Sequence, residues 1–257
     1  MRINGSVFFI SGGASGLGEA VARRAIGAGA GGVVIADLNL AAAQALASDL
    51  GDRALAVEVD VQSTDAIAAA IDAGFNRFGR LDVAVSCAGI GWAERTLDRE
   101  SKAASIDNYR RVININLIGT YDVVRLAAEK MALNEPNADG ERGVVVMTAS
   151  LAAFDGQIGQ AAYSSSKGGI VGLTLPLARD LSAVGVRAMT IAPGLFDTPI
   201  YDTMPPGLKE HLASTPVFPR RLGYADEYAH LVQTIVENAY MNGETIRLDA
   251  ALRMAPK

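Results

Sequence analysis

Tyr163 and Lys167 lie four residues apart, and Ser150 lies 13 residues before the tyrosine. In a helix this spacing puts the tyrosine and lysine side chains on one face. A free tyrosine has a pKa near 10, which is too high for a base at neutral pH, but a nearby ammonium stabilises its phenolate. Ser150 can hydrogen-bond a substrate oxygen while Tyr163 takes or gives a proton. The three residues therefore predict acid–base chemistry that needs no histidine.

The glycine-rich run at residues 11–18 predicts a binding site for a pyrophosphate. Gly12 and Gly16 let the backbone turn tightly and approach phosphates, and Gly18 permits close contact between helix and strand. The helix that follows offers unpaired N–H donors at its N-terminus. Because a strand-like segment precedes the run and a helical one follows it, we expect a dinucleotide cofactor here. The predicted cofactor-binding residues of the turn are Gly12, Ser15, Gly16, Leu17 and Gly18.

Asp37 ends the second strand-like segment, 19 residues after the last glycine of the turn. A carboxylate there can accept both ribose hydroxyls of an adenosine and would repel a 2′-phosphate, so it favours NAD over NADP. The alternative is that Asp37 caps the helical segment at 39–49, a task that Asn39 can also perform. Asp60 and Val61, at the end of the third strand-like segment, are placed to meet the adenine ring, although Asp60 also suits a simple turn.

Composition excludes several classes of protein. The net charge of −5 argues against a nucleic-acid binder, and no apolar run is long enough for a membrane span. Cys87 is the single cysteine and therefore forms no internal disulfide, and the two histidines are His211 and His230. No cysteine–histidine cluster has zinc spacing, so we expect no metal site. The chain begins without the pattern of a signal or transit peptide, and we expect a cytoplasmic protein.

Short β-branched runs alternate with alanine-rich helical patterns along the chain. Strands are predicted over residues 7–11, 33–37, 54–59, 83–86, 144–148, 188–192 and 244–248. Helices are predicted over residues 17–28, 40–49, 64–77, 106–132, 162–183 and 226–237. Runs that are apolar on both faces and separated by helices are typical of parallel strands in a doubly wound sheet. We predict one α/β domain over residues 1–257, with seven parallel strands and helices on both faces.

Residues 193–219 contain six of the nine prolines and follow the sixth predicted strand. Proline-rich segments are poor material for sheets and helices, and α/β proteins bind ligands beyond the carboxyl ends of their strands. A loop of this length is usually functional or disordered. We therefore predict a substrate lid at about residues 193–222.

Taken together, these motifs resemble the short-chain dehydrogenase/reductase family over nearly the whole chain. The resemblance implies a Rossmann fold and a tetrad in which Asn116 joins Ser150, Tyr163 and Lys167 and holds a water that relays protons from the lysine. It also implies that Thr198 contacts the nicotinamide amide. The further cofactor-binding residues that it implies are Cys87, Ala88, Gly89, Tyr163, Lys167, Pro193, Gly194, Phe196 and Thr198. At residues 86–89 the chain reads Ser-Cys-Ala-Gly where the family more often has Asn-Asn-Ala-Gly.

Longer runs resemble the type-2 3-hydroxyacyl-CoA dehydrogenases, the 17β-hydroxysteroid dehydrogenase type 10 group. The runs are Asn134-Glu-Pro136, Thr148-Ala-Ser-Leu-Ala-Ala-Phe-Asp-Gly-Gln157, Gly159-Gln-Ala-Ala-Tyr163, Arg221-Leu-Gly223, Glu227-Tyr-Ala-His230 and Asn242-Gly-Glu-Thr-Ile-Arg-Leu-Asp249. The resemblance implies reversible oxidation of a (3S)-3-hydroxyacyl-CoA by NAD⁺, in fatty acid metabolism, with Tyr163 as general acid/base. It places Gln157 and Gln160 beside the substrate, although both also suit turns. It further implies a homotetramer, with residues 244–257 packed across a subunit interface.

Other functions stay open at this point. One is a dehydrogenase of the same family that acts on another secondary alcohol or a hydroxysteroid. A second is a 3-oxoacyl-carrier-protein reductase, against which Asp37 counts because such reductases usually prefer NADPH. A third is a non-catalytic dinucleotide sensor, which would not need the four tetrad residues. We expect an NAD-dependent enzyme whose partner is a small acyl-CoA substrate.

Overall fold

The computed structural model describes residues 1–199 and 207–256. Within them the strands are β1 (Val7–Ser11), β2 (Gly32–Asp37), β3 (Ala54–Glu58), β4 (Val83–Ser86), β5 (Gly143–Thr148), β6 (Val186–Pro193), β7 (Phe196–Asp197), β8 (Gly223–Tyr224) and β9 (Thr245–Leu248). Seven of them form one parallel sheet in the order β3-β2-β1-β4-β5-β6-β9. The predicted Rossmann-type α/β sheet is therefore confirmed.

Helices connect the strands and cover both faces of the sheet. They are α1 (Gly16–Gly27), α2 (Leu40–Leu50), α3 (Thr64–Phe78), α4 (Ile106–Ile113), α5 (Gly119–Met131), α6 (Ala161–Leu181), α7 (Leu208–Ala213) and α8 (Ala225–Glu237). Buried side chains of α1, α2 and α8 pack on one face, and those of α3, α5 and α6 pack on the other. Every residue of β1, β5 and β6 is buried, as expected for strands covered from both sides.

The strand order reverses between β1 and β4, and the segments that follow these two strands meet at the carboxyl edge of the sheet. Gly12 follows β1, and a Cβ atom added to it would lie 2.6 Å from the backbone nitrogen of Ala88, which follows β4. The residues after β5 and β6 reach the same edge because all these strands are parallel. A reversal of strand order is where doubly wound sheets form a ligand crevice.

Three features differ from the predicted elements, and one is the short helix α7, which lies inside the segment predicted as a lid. The helix predicted over residues 106–132 is α4 and α5 joined by a π-helical turn, Asn114–Ile118. Such a turn changes the hydrogen-bond register without ending the helix, so the apolar pattern does not reveal it. The short β7–β8 pair is also absent from the predicted strands. It forms because Gly223 N–H donates to the carbonyl of Leu195 at 2.8 Å, far along the chain.

The predicted lid at 193–222 begins and ends at this β7–β8 pair, and its residues 200–206 lie outside the described part of the chain. In the described part, Val217 N–H donates to the carbonyl of Ala250 at 3.1 Å, which ties the far end of the lid to the segment after β9. No helix among the described residues is long and apolar enough to cross a membrane.

Candidate active site

The turn after β1 excludes side chains at three of its four glycines, which are Gly12, Gly13 and Gly18. Gly12 has a φ of +65°, and a Cβ atom there would lie 2.7 Å from Ala88 Cα. A Cβ atom at Gly18 would overlap the carbonyl oxygen of Gly12. Gly16 begins α1, and Ser15 before it makes no side-chain capping hydrogen bond. The glycines thus let the turn pack tightly, and the first turn of α1 borders the cavity with its backbone N–H groups, as phosphate binding requires.

Asp37 ends β2 beside this turn. Its Oδ2 accepts a hydrogen bond from the Ala14 backbone N–H at 3.0 Å, and its Oδ1 accepts one from the Asn39 N–H at 2.9 Å. The cap of α2 is Asn39, whose Oδ1 accepts from the Ala42 N–H at 3.1 Å. The structure thus assigns the cap to Asn39 and leaves the Asp37 carboxylate, held by two backbone amides, on the wall of a cavity.

Two adjoining cavities open at the carboxyl edge. The cofactor cavity, of about 510 Å³, is lined by Gly12, Ser15, Gly16, Leu17, Gly18, Asp37, Leu38, Val59, Asp60, Val61, Gln62, Cys87, Ala88, Gly89, Ile90, Arg111, Ile115, Thr198 and Pro199. The reaction cavity, of about 230 Å³, is lined by Leu17, Cys87, Gly89, Ile90, Gly91, Thr148, Ala149, Ser150, Tyr163, Lys167, Pro193, Gly194, Phe196 and Thr198. Because they share lining residues, they are two parts of one cleft. Every predicted cofactor-binding residue borders this cleft.

Ser150, Tyr163 and Lys167 meet in the reaction cavity. Lys167 Nζ lies 5.8 Å from the centroid of the Tyr163 ring. Burial raises the pKa of Tyr163, and a hydrogen bond with Ser150 opposes that rise. Burial lowers the pKa of Lys167 to about 8. At neutral pH the lysine is therefore still an ammonium, while the phenol keeps its proton until further positive charge stabilises the phenolate.

Local contacts set the positions of these three side chains. Ser150 follows β5 and caps a single 3₁₀ turn, where its Oγ accepts from the Ala152 N–H at 3.1 Å. Tyr163 and Lys167 lie one turn apart near the start of α6. Lys167 Nζ donates to the carbonyl of Thr148, the last residue of β5, at 2.8 Å. The strand end thus positions both the serine and the lysine.

Asn116 lies in the π-helical turn and is fully buried. Its Oδ1 accepts from the Ile90 N–H at 2.8 Å, and its Nδ2 donates to the Ile90 carbonyl at 3.0 Å and to Ser166 Oγ at 3.1 Å. A Cβ atom added to Gly89 would lie 3.2 Å from Asn116 Oδ1 and 3.6 Å from Lys167 Nζ. The structure therefore brings Asn116 close to Lys167, behind the cavity wall, and its water relay stays a prediction.

Gln157 and Gln160 do not border the cleft. The Gln157 N–H donates to Gln160 Oε1 at 3.0 Å, and Gln157 Nε2 donates to the carbonyl of Ala255 at 2.9 Å. Both side chains thus stabilise the turn before α6 and its contact with the end of the chain. These contacts favour the turn alternative for both residues, and their substrate role stays a prediction.

Asp60 and Val61 also have structural contacts. Asp60 Oδ1 accepts from the Gln62 N–H at 2.9 Å, which is a turn-forming contact. Val61 packs on α5, since a Cβ atom at Gly119 would lie 3.0 Å from Val61 Cβ. Both residues line the cofactor cavity as well, so the turn contact of Asp60 places it there rather than competing with the predicted role.

Several residues that border the cleft are missing from the predicted site, and they are Leu38, Val59, Gln62, Ile90, Gly91, Arg111, Ile115, Thr148, Ala149 and Pro199. Leu38 follows Asp37 and exposes 68% of its surface, Ile90 follows Gly89, and Thr148 ends β5. Leu38 and Ile90 directly follow predicted residues at strand ends, which is a signal that the sequence carries. The contact of the Thr148 carbonyl with Lys167 depends on how α6 docks and has no sequence signal.

Cys87 follows β4 and touches both parts of the cleft. Burial raises the pKa of its thiol, so the sulfur keeps its proton and is a poor nucleophile. No group of three or more histidine, cysteine, aspartate or glutamate side chains within residues 1–199 and 207–256 is arranged to hold a metal ion.

Comparison with known proteins agrees with this architecture. The model of the short chain dehydrogenase family matches residues 6–208. The chain belongs to this family. It is 52% identical to the 3-hydroxyacyl-CoA dehydrogenase type-2 of Bos taurus over 99% of this chain and 97% of the relative. As a member of the short-chain dehydrogenases it is an oxidoreductase.

Two solved structures of short-chain dehydrogenases are similar to this one. The 3-hydroxyacyl-CoA dehydrogenase type-2 from Mycobacterium avium superposes with a TM-score of 0.94 and 46% identity, over 98% of each chain. A 7α-hydroxysteroid dehydrogenase complexed with NADH and 7-oxo glycochenodeoxycholic acid superposes with a TM-score of 0.87 and 25% identity, over 100% of this chain and 97% of that one. Family membership and the second structure indicate a nicotinamide dinucleotide cofactor.

Proposed function

We propose that the protein is an NAD-dependent dehydrogenase that reversibly oxidises a (3S)-3-hydroxyacyl-CoA to the 3-oxoacyl-CoA. The observation that carries this proposal is the cleft itself, in which Ser150, Tyr163 and Lys167 adjoin the cavity that holds Asp37 and the glycine turn. The full-length similarity to relatives named 3-hydroxyacyl-CoA dehydrogenase type-2 supports the choice of substrate.

NAD fits the residues of the cofactor cavity. The glycines let the turn pack closely against the Ala88 backbone and the start of α1, and the N-terminus of α1 provides N–H donors for the phosphates. The Asp37 carboxylate is fixed by backbone amides and is suited to accept ribose hydroxyls. A 2′-phosphate at the same place would meet this negative charge, so the cavity favours NAD over NADP.

The side chains of the reaction cavity divide the proton chemistry among them. When bound, the nicotinamide supplies the acceptor for the substrate hydride. As a phenolate, Tyr163 removes the proton of the 3-hydroxyl group, and Ser150 donates a hydrogen bond to the same oxygen. The Lys167 ammonium stabilises the phenolate. In the reverse direction Tyr163 returns its proton to the 3-oxo oxygen.

A different secondary alcohol, including a hydroxysteroid, is the second candidate substrate. The similarity to the 7α-hydroxysteroid dehydrogenase complex supports it, because the serine, tyrosine and lysine would act alike on any secondary alcohol. The close approach of Asn116, Tyr163 and Lys167 argues against a non-catalytic sensor.

A spectrophotometric screen of NAD⁺ reduction tests the proposal. The panel holds 3-hydroxybutyryl-CoA, longer 3-hydroxyacyl-CoAs, hydroxysteroids and simple secondary alcohols, each assayed with NAD⁺ and with NADP⁺. We expect the highest kcat/KM for a 3-hydroxyacyl-CoA with NAD⁺. Turnover of steroids or alcohols without turnover of any acyl-CoA would overturn the choice of substrate.

We also propose that residues 193–222 cover the reaction cavity as a lid, and that the protein is a cytoplasmic homotetramer. Phe196 and Thr198, at the start of this segment, line the cavity, which supports the lid. Light scattering of the purified protein tests the tetramer, and a mass other than four chains would contradict it. Protection of the segment from protease by a bound acyl-CoA tests the lid.

A further inference from the structure

Lys167 donates a hydrogen bond to the carbonyl of Thr148, and the side chain of Thr148 makes hydrogen bonds of its own. Thr148 ends β5, and its carbonyl accepts from Lys167 Nζ at 2.8 Å in a buried contact. Among the described residues, no carboxylate pairs with Lys167. The Thr148 carbonyl is therefore the polar group that directly faces this buried ammonium, and its position determines how well the charge is held.

The Thr148 side chain closes a ring of three hydrogen bonds. Its Oγ1 donates to Cys87 Sγ at 3.7 Å, and Cys87 Sγ donates to the Tyr228 hydroxyl oxygen at 3.8 Å. The remaining contact, between Tyr228 and Thr148 Oγ1, is 2.7 Å long. Because the other two donors are used, Tyr228 must donate in it. Each group thus donates once and accepts once, so that all three donors of the ring are used.

Tyr228 comes from α8, on the opposite side of the sheet from α6, and is fully buried. Its ring packs edge-on against Phe196, with centroids 6.4 Å apart, and Phe196 lines the reaction cavity. Burial raises the pKa values of Tyr228 and Cys87, so both keep their protons. The ring is therefore neutral and acts on Lys167 through position and dipoles rather than charge.

We propose that Tyr228 is a positioning residue for Lys167, acting through the side chain and carbonyl of Thr148. The inference rests on the proposed use of Tyr163 as base and adds a residue to it from a helix outside the reaction cavity. The titratable groups that face the lysine are Tyr163 on its own helix, Cys87 after β4 and, through Thr148, Tyr228 on α8; Asn116, from the π-helical turn, is uncharged.

Removal of the Tyr228 hydroxyl should shift the pKa of Lys167 in a predictable direction. Thr148 Oγ1 loses its shortest hydrogen bond, and the carbonyl is held less firmly against Lys167. The ammonium form of the lysine is then stabilised less, which lowers the pKa of Lys167 further. With less positive charge beside it, the Tyr163 phenolate forms at higher pH. The pH profile of alcohol oxidation should therefore move to higher pH.

The test compares Tyr228→Phe with wild type in NAD⁺ reduction across pH. We expect kcat to fall several-fold at neutral pH, the midpoint of the profile to rise by about half a pH unit, and KM for NAD⁺ to stay unchanged. Thr148→Val should show the same shift of the pH profile, whereas Thr148→Ser, which keeps the hydroxyl, should retain the wild-type profile. Tyr240→Phe is the matched control, because Tyr240 is 99% exposed.

A direct titration separates this inference from the proposed function. ¹⁵N NMR of labelled lysine side chains follows Lys167 without any substrate, and its signal is assigned by its loss in Lys167→Arg. We expect the pKa of Lys167 to be lower in Tyr228→Phe and Thr148→Val than in wild type. Unchanged titration and an unchanged pH profile, with only a lower Tm, would overturn the positioning role. Absence of turnover in wild type with the titration shift intact would overturn the proposed function alone.

Discussion

Two buried cations lie at opposite ends of the parallel strands, and they differ in whether a carboxylate pairs with them. Lys167 is 6% exposed and Arg187 is 7% exposed, so burial alone does not distinguish them. Arg187, in β6, pairs with Glu141 at 2.7 Å and donates to the carbonyls of Ile235 and Met241. Lys167 donates to the carbonyl of Thr148, and no carboxylate pairs with it in the part of the chain that the structure describes. The structural cation is thus neutralised, and the cation that we propose supports Tyr163 is left without a counter-charge among the described residues.

The two arrangements have opposite effects on ionisation. Burial raises the pKa of Glu141, but the hydrogen bond from the Met1 ammonium and the charge of Arg187 outweigh it and lower the pKa overall. That network keeps its charges and stays paired. Burial lowers the pKa of Lys167 to about 8 without a compensating carboxylate. A pKa this far from the ordinary lysine value is typical of functional sites, which agrees with the proposed role of Lys167 beside Tyr163.

Lys167→Met should have the largest effect on activity. We expect kcat for NAD⁺ reduction to fall by about 10²–10⁴-fold, because the phenolate of Tyr163 loses its cation. Thermal unfolding should give an equal or higher Tm, since the variant removes an unpaired buried charge. A large loss of stability in this variant would break the contrast with Arg187.

Arg187→Met should show the reverse pattern. We expect the free energy of unfolding to fall by about 3 kcal/mol, because Glu141 is left buried with less compensation, while kcat at saturating substrate stays unchanged. Urea denaturation measures the loss. Arg23→Met is the matched control, since its ion pairs are exposed and its loss should cost about 1 kcal/mol or less. Equal losses in the two variants would contradict a buried structural role for Arg187.

Asp37→Ala tests the other end of the cleft and should have a smaller effect. We expect the ratio of kcat/KM with NAD⁺ to that with NADP⁺ to fall by about tenfold or more, because ribose hydrogen bonds are lost and the repulsion of a 2′-phosphate is removed. Asp60→Ala is the control. Asp60 is predicted to meet the adenine ring, which NAD⁺ and NADP⁺ share, so this variant should leave the ratio unchanged. An unchanged ratio in Asp37→Ala would refute the ribose assignment.

The pH dependence of the wild-type reaction rates should be the smallest of these effects. Oxidation needs the Tyr163 phenolate and reduction needs the phenol, so oxidation should quicken and reduction should slow as pH rises. Because the pKa of Lys167 is about 8, cationic support for the phenolate should be lost progressively above that pH. Initial rates in both directions across pH measure this, and parallel profiles would contradict Tyr163 as the shared acid and base.

Features set by local spacing were predictable from the sequence. Gly12, Gly16 and Gly18 need only a strand before them and a helix after them, and the Tyr163–Lys167 pair needs only one helical turn. Parallel strands then bring these segments to one edge, because every strand end points the same way. The sheet and the residues that border the cleft follow from such rules.

Features set by distant contacts were not predictable. The ring of Cys87, Thr148 and Tyr228 joins the ends of β4 and β5 to α8, and no spacing in the sequence connects them. The turn contacts of Gln157 and Gln160 depend on where the end of the chain packs. The π-helical turn at Asn116 leaves no break in the apolar pattern. In each case the physical cause is a tertiary contact that local sequence does not encode.

The central claim is that Tyr163, supported by Lys167, exchanges the proton of a 3-hydroxyacyl-CoA. The most direct measurement compares wild type with Tyr163→Phe in NAD⁺ reduction by 3-hydroxybutyryl-CoA, with NADH binding followed by fluorescence in both. The account predicts turnover by wild type and a loss of about 10²-fold or more in the variant, with NADH binding retained. Turnover by Tyr163→Phe close to that of wild type would contradict it.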